Sequence, residues 1–177
     1  MFKSFLSLAA LGAAVLFPAS QASAHVTLAV HEAPVASYYK AVLKVPHGCD
    51  GSPTIALRVR IPEGVISVKP QHKPGWKIQT TKGDYAQSYV LHGGKIESGV
   101  KEIAWTGSVL PDEEYDEFAF VAYLASDLKP GGMLYFPVVQ ECEKGVARWI
   151  DVPDGHAKGS DTHEDTPAPG LKLLPPQ

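Results

Sequence analysis

The fold class predicted for this chain is an all-β, immunoglobulin- or fibronectin-like β-sandwich. Three observations predict it. Apolar residues recur with a period of two through many short stretches, turn signals containing Gly or Pro separate those stretches, and no segment sustains a 3.6-residue apolar period. Side chains on a strand alternate between faces, so a period of two marks a strand with one face buried. Many such strands at regular spacing fit two packed sheets. A closed barrel is the alternative architecture.

The alternation begins at His25. Residues 36–45 then set Tyr39, Ala41, Leu43 and Val45 against Tyr38, Lys40 and Lys44. Residues 54–61 set Ile55, Leu57, Val59 and Ile61 against Arg58 and Arg60. Further candidate strands are 65–68, 76–80, 87–92, 102–107, 117–124, 133–140 and 146–152. Turn signals stand between them: Pro46-His47-Gly48, Pro62-Glu63-Gly64, Lys73-Pro74-Gly75, Gly93-Gly94, Pro130-Gly131-Gly132 and Lys144-Gly145. Trp76 and Trp105 are expected in the sandwich core.

The two ends differ from this pattern. Residues 1–24 carry Lys3, an apolar run from Phe5 to Phe17, Pro18, and the small residues Ala22-Ser23-Ala24. That is the layout of a cleaved secretory signal peptide, with the cut expected after Ala24. The apolar run is too short for a membrane anchor, which needs roughly 20 residues. The domain is expected over 25–153. The segment 154–177, DGHAKGSDTHEDTPAPGLKLLPPQ, is polar and Pro-rich and is expected to be a disordered tail. Its His156 and His163 read as part of a solvated tail, with a weak auxiliary metal-catching role as the sharper alternative.

Composition excludes several classes. The 177-residue chain has a formal net charge of −3 and no basic patch, which argues against nucleic acid. No second apolar segment is long enough to anchor the mature chain, so an exported protein is expected, in the periplasm or otherwise secreted. There is no GxSxG elbow and no phosphate-binding glycine loop. An even cysteine count in an exported chain favours a disulfide between Cys49 and Cys142. A pair of copper-binding thiolates is the competing reading.

Cleavage after Ala24 would give His25 two nitrogen donors, the α-amine and the imidazole Nδ1. Together they close a six-membered chelate ring on one metal ion, and such donors suit Cu(II). In the uncut precursor the first nitrogen is an amide and the chelate does not exist. The amino-terminal copper/nickel motif is excluded, because it needs His at the third position and this chain would start His25-Val26-Thr27. The remaining histidines, His31, His47, His72 and His92, are scattered. His47 would approach the site if its loop packs on the amino terminus.

The stretches HVTLAVHEAPVASYY, YYKAVLKVPHGCDGSP, LRVRIPEGVISVKPQHKPGWKI, YDEFAF and GVARWIDVP, in that order after a signal peptide, resemble the YcnI-like family of exported copper-binding domains. The resemblance runs from His25 to about Pro153. It implies an immunoglobulin-like sandwich that binds Cu(II) through one amino-terminal histidine, assisted by a carboxylate and a tryptophan. By that resemblance the histidine falls on His25, the carboxylate on Glu32, seven residues on, and the tryptophan on Trp149. Glu117 is the second choice for the carboxylate. Seven residues of straight strand span about 23 Å, so Glu32 reaches His25 only if the chain bends. Without a bend, Glu117 or Glu141 gains.

The function expected is a Cu(II) carrier, buffer or delivery factor in copper homeostasis, and not an enzyme. Its expected partners are the copper ion and another periplasmic copper carrier or a cuproenzyme. Two alternatives stand beside it: a metal-free interaction module, and a copper oxidase or monooxygenase. The latter needs a second histidine facing the first, for which no motif stands out.

Overall fold

A computed structural model describes residues 25–152 and 166–177. The expected signal peptide and the two tail histidines, His156 and His163, lie outside the described residues. The strands are β1 (Thr27–Leu28), β2 (Glu32–Pro34), β3 (Ser37–Val45), β4 (Thr54–Arg60), β5 (Val65–Pro70), β6 (Lys77–Leu91), β7 (Gly94–Leu110), β8 (Asp116–Leu124), β9 (Met133–Tyr135), β10 (Val138–Cys142), β11 (Val146–Trp149) and β12 (Gly170–Leu174).

Two sheets make the sandwich. One has the order β1-β3-β8-β5 and the other β11-β10-β4-β7-β6, while β2-β12-β9 forms a smaller third sheet. The period-two residues face inward as expected except Ile55, which stays half-buried while Thr54 and Ala56 are buried, because the β4–β7 register shifts between those two. Tyr39, Ala41, Leu43 and Val45 of β3, with Phe118, Phe120, Ala122 and Leu124 of β8, are buried against Leu57 and Val59 of β4, Ile103 and Trp105 of β7, and Val138 of β10. Aromatic edges meet faces at the centre: Phe118 lies 5.0 Å from Trp76 and 5.5 Å from Trp105 between ring centroids.

Two candidate strands, 76–80 and 87–92, are parts of the single long β6. It pairs with β7 in a hairpin whose register shifts between Thr81 and Lys82 and again between Asp84 and Tyr89. The polar residues between the two candidates hide this continuity, because the outer hairpin projects past the main core. Its turn is His92-Gly93, with φ of 50° and 77°, so both central residues take the left-handed form a two-residue hairpin favours. The outer hairpin has its own small core, where Tyr85 and Tyr89 pack with Ile66 and Ala125. The candidate 133–140 is instead two strands. Pro137, which has no N–H to give, separates β9 from β10, and the two join different sheets.

The disordered tail expected over 154–177 is corrected at its far end. β12 runs parallel to β2 and antiparallel to β9, and Leu171 and Leu173 are buried in the main core. The domain therefore extends beyond Pro153. Average polarity misled here: the Pro- and acid-rich stretch outweighs a short LKLL motif whose alternate leucines are enough to seat one strand.

Candidate functional site

Cys49 and Cys142 form a disulfide across 93 positions of sequence, which removes the copper-thiolate reading. The bond fastens the β3–β4 loop to the end of β10. Within that loop, Cys49 and Ser52 exchange backbone hydrogen bonds of 2.8 and 2.9 Å. Asp50 and Gly51 between them have φ of 49° and 80°. Asp-Gly is a favoured pair for such a turn. Gly48 has no alternative, since a Cβ there would collide with the Ser52 carbonyl oxygen. Its N–H donates to Asp112 Oδ1 at 2.9 Å.

Opposite the loop stands β11. Its register sets Trp149 beside Val138 of β10, on the inward face, and Trp149 is only 6% exposed. Between loop and strand lies a cleft of about 440 Å³, lined by His47, Asp50, Arg148 and Trp149 among others. The half-buried His25 comes to the same place. β1 pairs Thr27 with Lys44 and Leu28 with Leu43, so the chain two residues earlier lies at the Pro46 end of β3, where the loop begins. The His25 ring sits 5.3 Å from the Trp149 ring, tilted by 56°. His25 and Trp149, 124 positions apart in sequence by their numbers, are thus neighbours.

The carboxylates named from the sequence do not line this cleft. The pairs Thr27/Lys44 and Leu28/Leu43 and the Ala29 N–H to Val42 bond carry the chain away from the Pro46 end. Glu32 then lies in β2, opposite Lys172 in the third sheet, with an exposed side chain. The chain does turn between β1 and β2, but toward the other end of β3. Glu117 is exposed on β8, in the row Thr27–Lys44–Glu117, and its carbonyl accepts from Lys73 Nζ at 2.9 Å. Glu141 faces outward in a 2.7 Å ion pair with Arg58. The carboxylate that shares a cleft with Trp149 is Asp50. Sequence reading missed it, although the Asp-Gly pair beside a cysteine is a visible turn signal next to His47, the histidine expected to approach.

His47 also lines the cleft. Its Nδ1 is 2.6 Å from the Gly48 carbonyl oxygen. A carbonyl only accepts, so Nδ1 is the donor in this contact and Nε2 is left out of it. Among the described residues no three His, Cys, Asp or Glu side chains are gathered into a metal cage. A metal ion here would need a donor beyond side chains.

Fold and site together define an immunoglobulin-like sandwich domain with a polar cleft at one end, closed on one side by a disulfide-pinned loop. The chain belongs to the family described as "Domain of unknown function (DUF1775)", whose model matches residues 25–173. That match includes β12 and begins at His25. A solved structure described as an uncharacterized protein from Nocardia farcinica with an immunoglobulin-like fold is similar, with a TM-score of 0.60 and 24% identity over 85% of this chain and 98% of that one. It supports the fold alone. No curated protein matches the chain.

Proposed function

We propose that this chain is an exported Cu(II)-binding protein, a carrier, buffer or delivery factor in copper handling. The observation that supports this reading best is the approach of His25 to Trp149 at 5.3 Å between ring centroids; Trp149 in turn lines a cleft that also holds Asp50. Cleavage after Ala24 frees the His25 α-nitrogen, which supplies the donor that side chains alone do not. Amine, Nδ1 and a carboxylate oxygen make a nitrogen/oxygen set suited to Cu(II). We assign the carboxylate to Asp50, the carboxylate that lines the same cleft as Trp149, ahead of Glu32 and Glu117.

Trp149 shields one side of the ion from water, since a neutral indole N–H donates and does not ligate. His47, which lines the same cleft, offers Nε2 as an exchange ligand during transfer when its ring is neutral. Transfer by ligand exchange requires an open, incompletely caged site, and the cleft is open to solvent. The recipient in this reading is another periplasmic copper carrier or a cuproenzyme, and that openness is compatible with such a hand-over. No catalytic constellation is assigned, and the reading is not that of an enzyme.

The test compares mature protein beginning at His25 with a form carrying one extra residue ahead of it. The native terminus is expected to bind one Cu(II) with a nitrogen-rich EPR spectrum, and the extended form to lose most of that affinity. Equal binding by the two forms would rule out the amino-terminal chelate.

A further inference from the structure

We propose that Gln140 is the positioning residue of the cleft, a single buried amide that fixes both the Trp149 ring and the backbone of the loop facing it. The inference rests on the Cu(II) reading above and assigns no ligand role to Gln140 itself.

Gln140 lies on β10 between Val138 and Cys142, pointing inward, and is 1% exposed. A primary amide in that position must find partners for both ends. Its oxygen accepts from Trp149 Nε1 at 3.2 Å. Its nitrogen donates to the His47 carbonyl oxygen at 2.7 Å and to Thr54 Oγ1 at 2.7 Å. Both amide hydrogens and the oxygen are therefore in use. The amide cannot turn over: a flip would set N–H against the indole N–H and oxygen against the His47 carbonyl.

This geometry joins the two walls of the cleft. Trp149 belongs to β11, while His47 opens the loop that carries Cys49 and Asp50. The disulfide holds that loop at Cys49, and Gln140 holds it two residues earlier. Trp105 shows that burying an indole in this core does not by itself demand such a partner. It is 0% exposed, and its Nε1 has no hydrogen-bond partner among the described residues. Trp149, the tryptophan that touches His25, is the one whose orientation is fixed by a buried acceptor. Groups that orient a metal site from behind in this way commonly account for about 10–100-fold in metal affinity.

The test uses mature protein with a native His25 terminus, as wild type, Gln140→Leu, Trp149→Phe and the double variant. In the metal-free state, the Trp149 indole N–H resonance is identified by its loss in Trp149→Phe. Gln140→Leu is expected to shift that resonance and speed its hydrogen exchange, leaving the Trp76 and Trp105 indoles in place as a sign of an intact fold. Its Cu(II) dissociation constant, measured by competition, should rise about 10–100-fold. The losses in the double variant should be less than additive, because both single changes act on one ring. If Gln140→Leu does not fold, Gln140→Met serves: it keeps the length of the buried side chain, lacks both the acceptor for the indole and the donor to His47, and should also weaken binding. An unchanged dissociation constant in a folded Gln140 variant, or an unmoved Trp149 indole in Gln140→Leu, overturns the positioning role. Absence of Cu(II) binding by wild type itself overturns the underlying copper reading instead.

Discussion

Asp50 can be examined apart from the turn it occupies. Its φ of 49° is left-handed, a conformation Asn adopts as readily as Asp. Asp50→Asn should therefore leave stability within about 0.5 kcal/mol of wild type, as a tolerated surface change does. Cu(II) affinity should fall by about tenfold or more, equivalent to roughly 1.4 kcal/mol. Glu32→Gln and Glu117→Gln, measured by the same competition titration, should bind as wild type. A loss confined to Glu32→Gln would return the carboxylate to the residue seven positions after His25. Gly48→Ala, by contrast, should cost about 2 kcal/mol in denaturant unfolding, because the Ser52 carbonyl oxygen occupies the space of the added methyl. At this scale the meeting of His25 and Trp149 was legible in the sequence only through the family resemblance, which set the two in one site. Asp50 was not. Its place in the cleft with Trp149 depends on the disulfide-pinned turn after β3, which no local spacing reveals.

Among the elements, β12 and the β6–β7 hairpin make separable predictions. Leu171 is 0% exposed on β12, so Leu171→Ala should destabilise the whole domain by about 2–5 kcal/mol in denaturant unfolding. A solvated tail would show no effect. The outer hairpin is tied to the Pro62-Glu63-Gly64 turn through Glu63, which accepts from Tyr89 at 2.9 Å, Lys101 at 2.8 Å and the Ala86 N–H at 3.0 Å. Burial alone would raise the Glu63 pKa, but these hydrogen bonds and the Lys101 charge outweigh it and hold it below its ordinary value of 4.5. A carboxylate that titrates lower when folded contributes fully above its unfolded pKa and loses that contribution as pH falls through the folded value. Protection of the outer-hairpin amides, corrected for the intrinsic pH dependence of exchange, should accordingly fall below about pH 4.5, and Glu63→Gln should flatten that acid limb. The inner strands were readable from their alternation because each faces a core with one side. The hairpin's continuity was not, since residues 82–88 are mostly exposed and carry no apolar rhythm. β12 was hidden for the opposite reason, a good strand pattern embedded in disfavoured composition.

At the scale of the whole molecule, the two-sheet architecture followed from period-two strands and regular turns, while the fastening of the β3–β4 loop beside the cleft followed from one covalent bond. Cys49 and Cys142 close a loop of 93 positions, for which the chain-entropy model gives about 4–5 kcal/mol as an upper expectation. The same bond sits beside the cleft and fixes the loop that carries His47 and Asp50. Its removal should act on both properties, but unequally. Replacing both cysteines with serine should lower unfolding free energy by up to that amount, measured in denaturant at equilibrium. β10 remains paired with β4 and β11 on either side, and Gln140 still binds the His47 carbonyl, so the fold and the Trp149–His25 contact should survive at moderate temperature. Cu(II) affinity should then fall because Asp50 is freed to move, not because the site is gone. Adding the Asp50→Asn change to the double serine variant should therefore cost little further affinity, whereas His25→Ala should still abolish the chelate. If Asp50→Asn costs as much without the disulfide as with it, the bond stabilises the sandwich but does not hold the carboxylate in place.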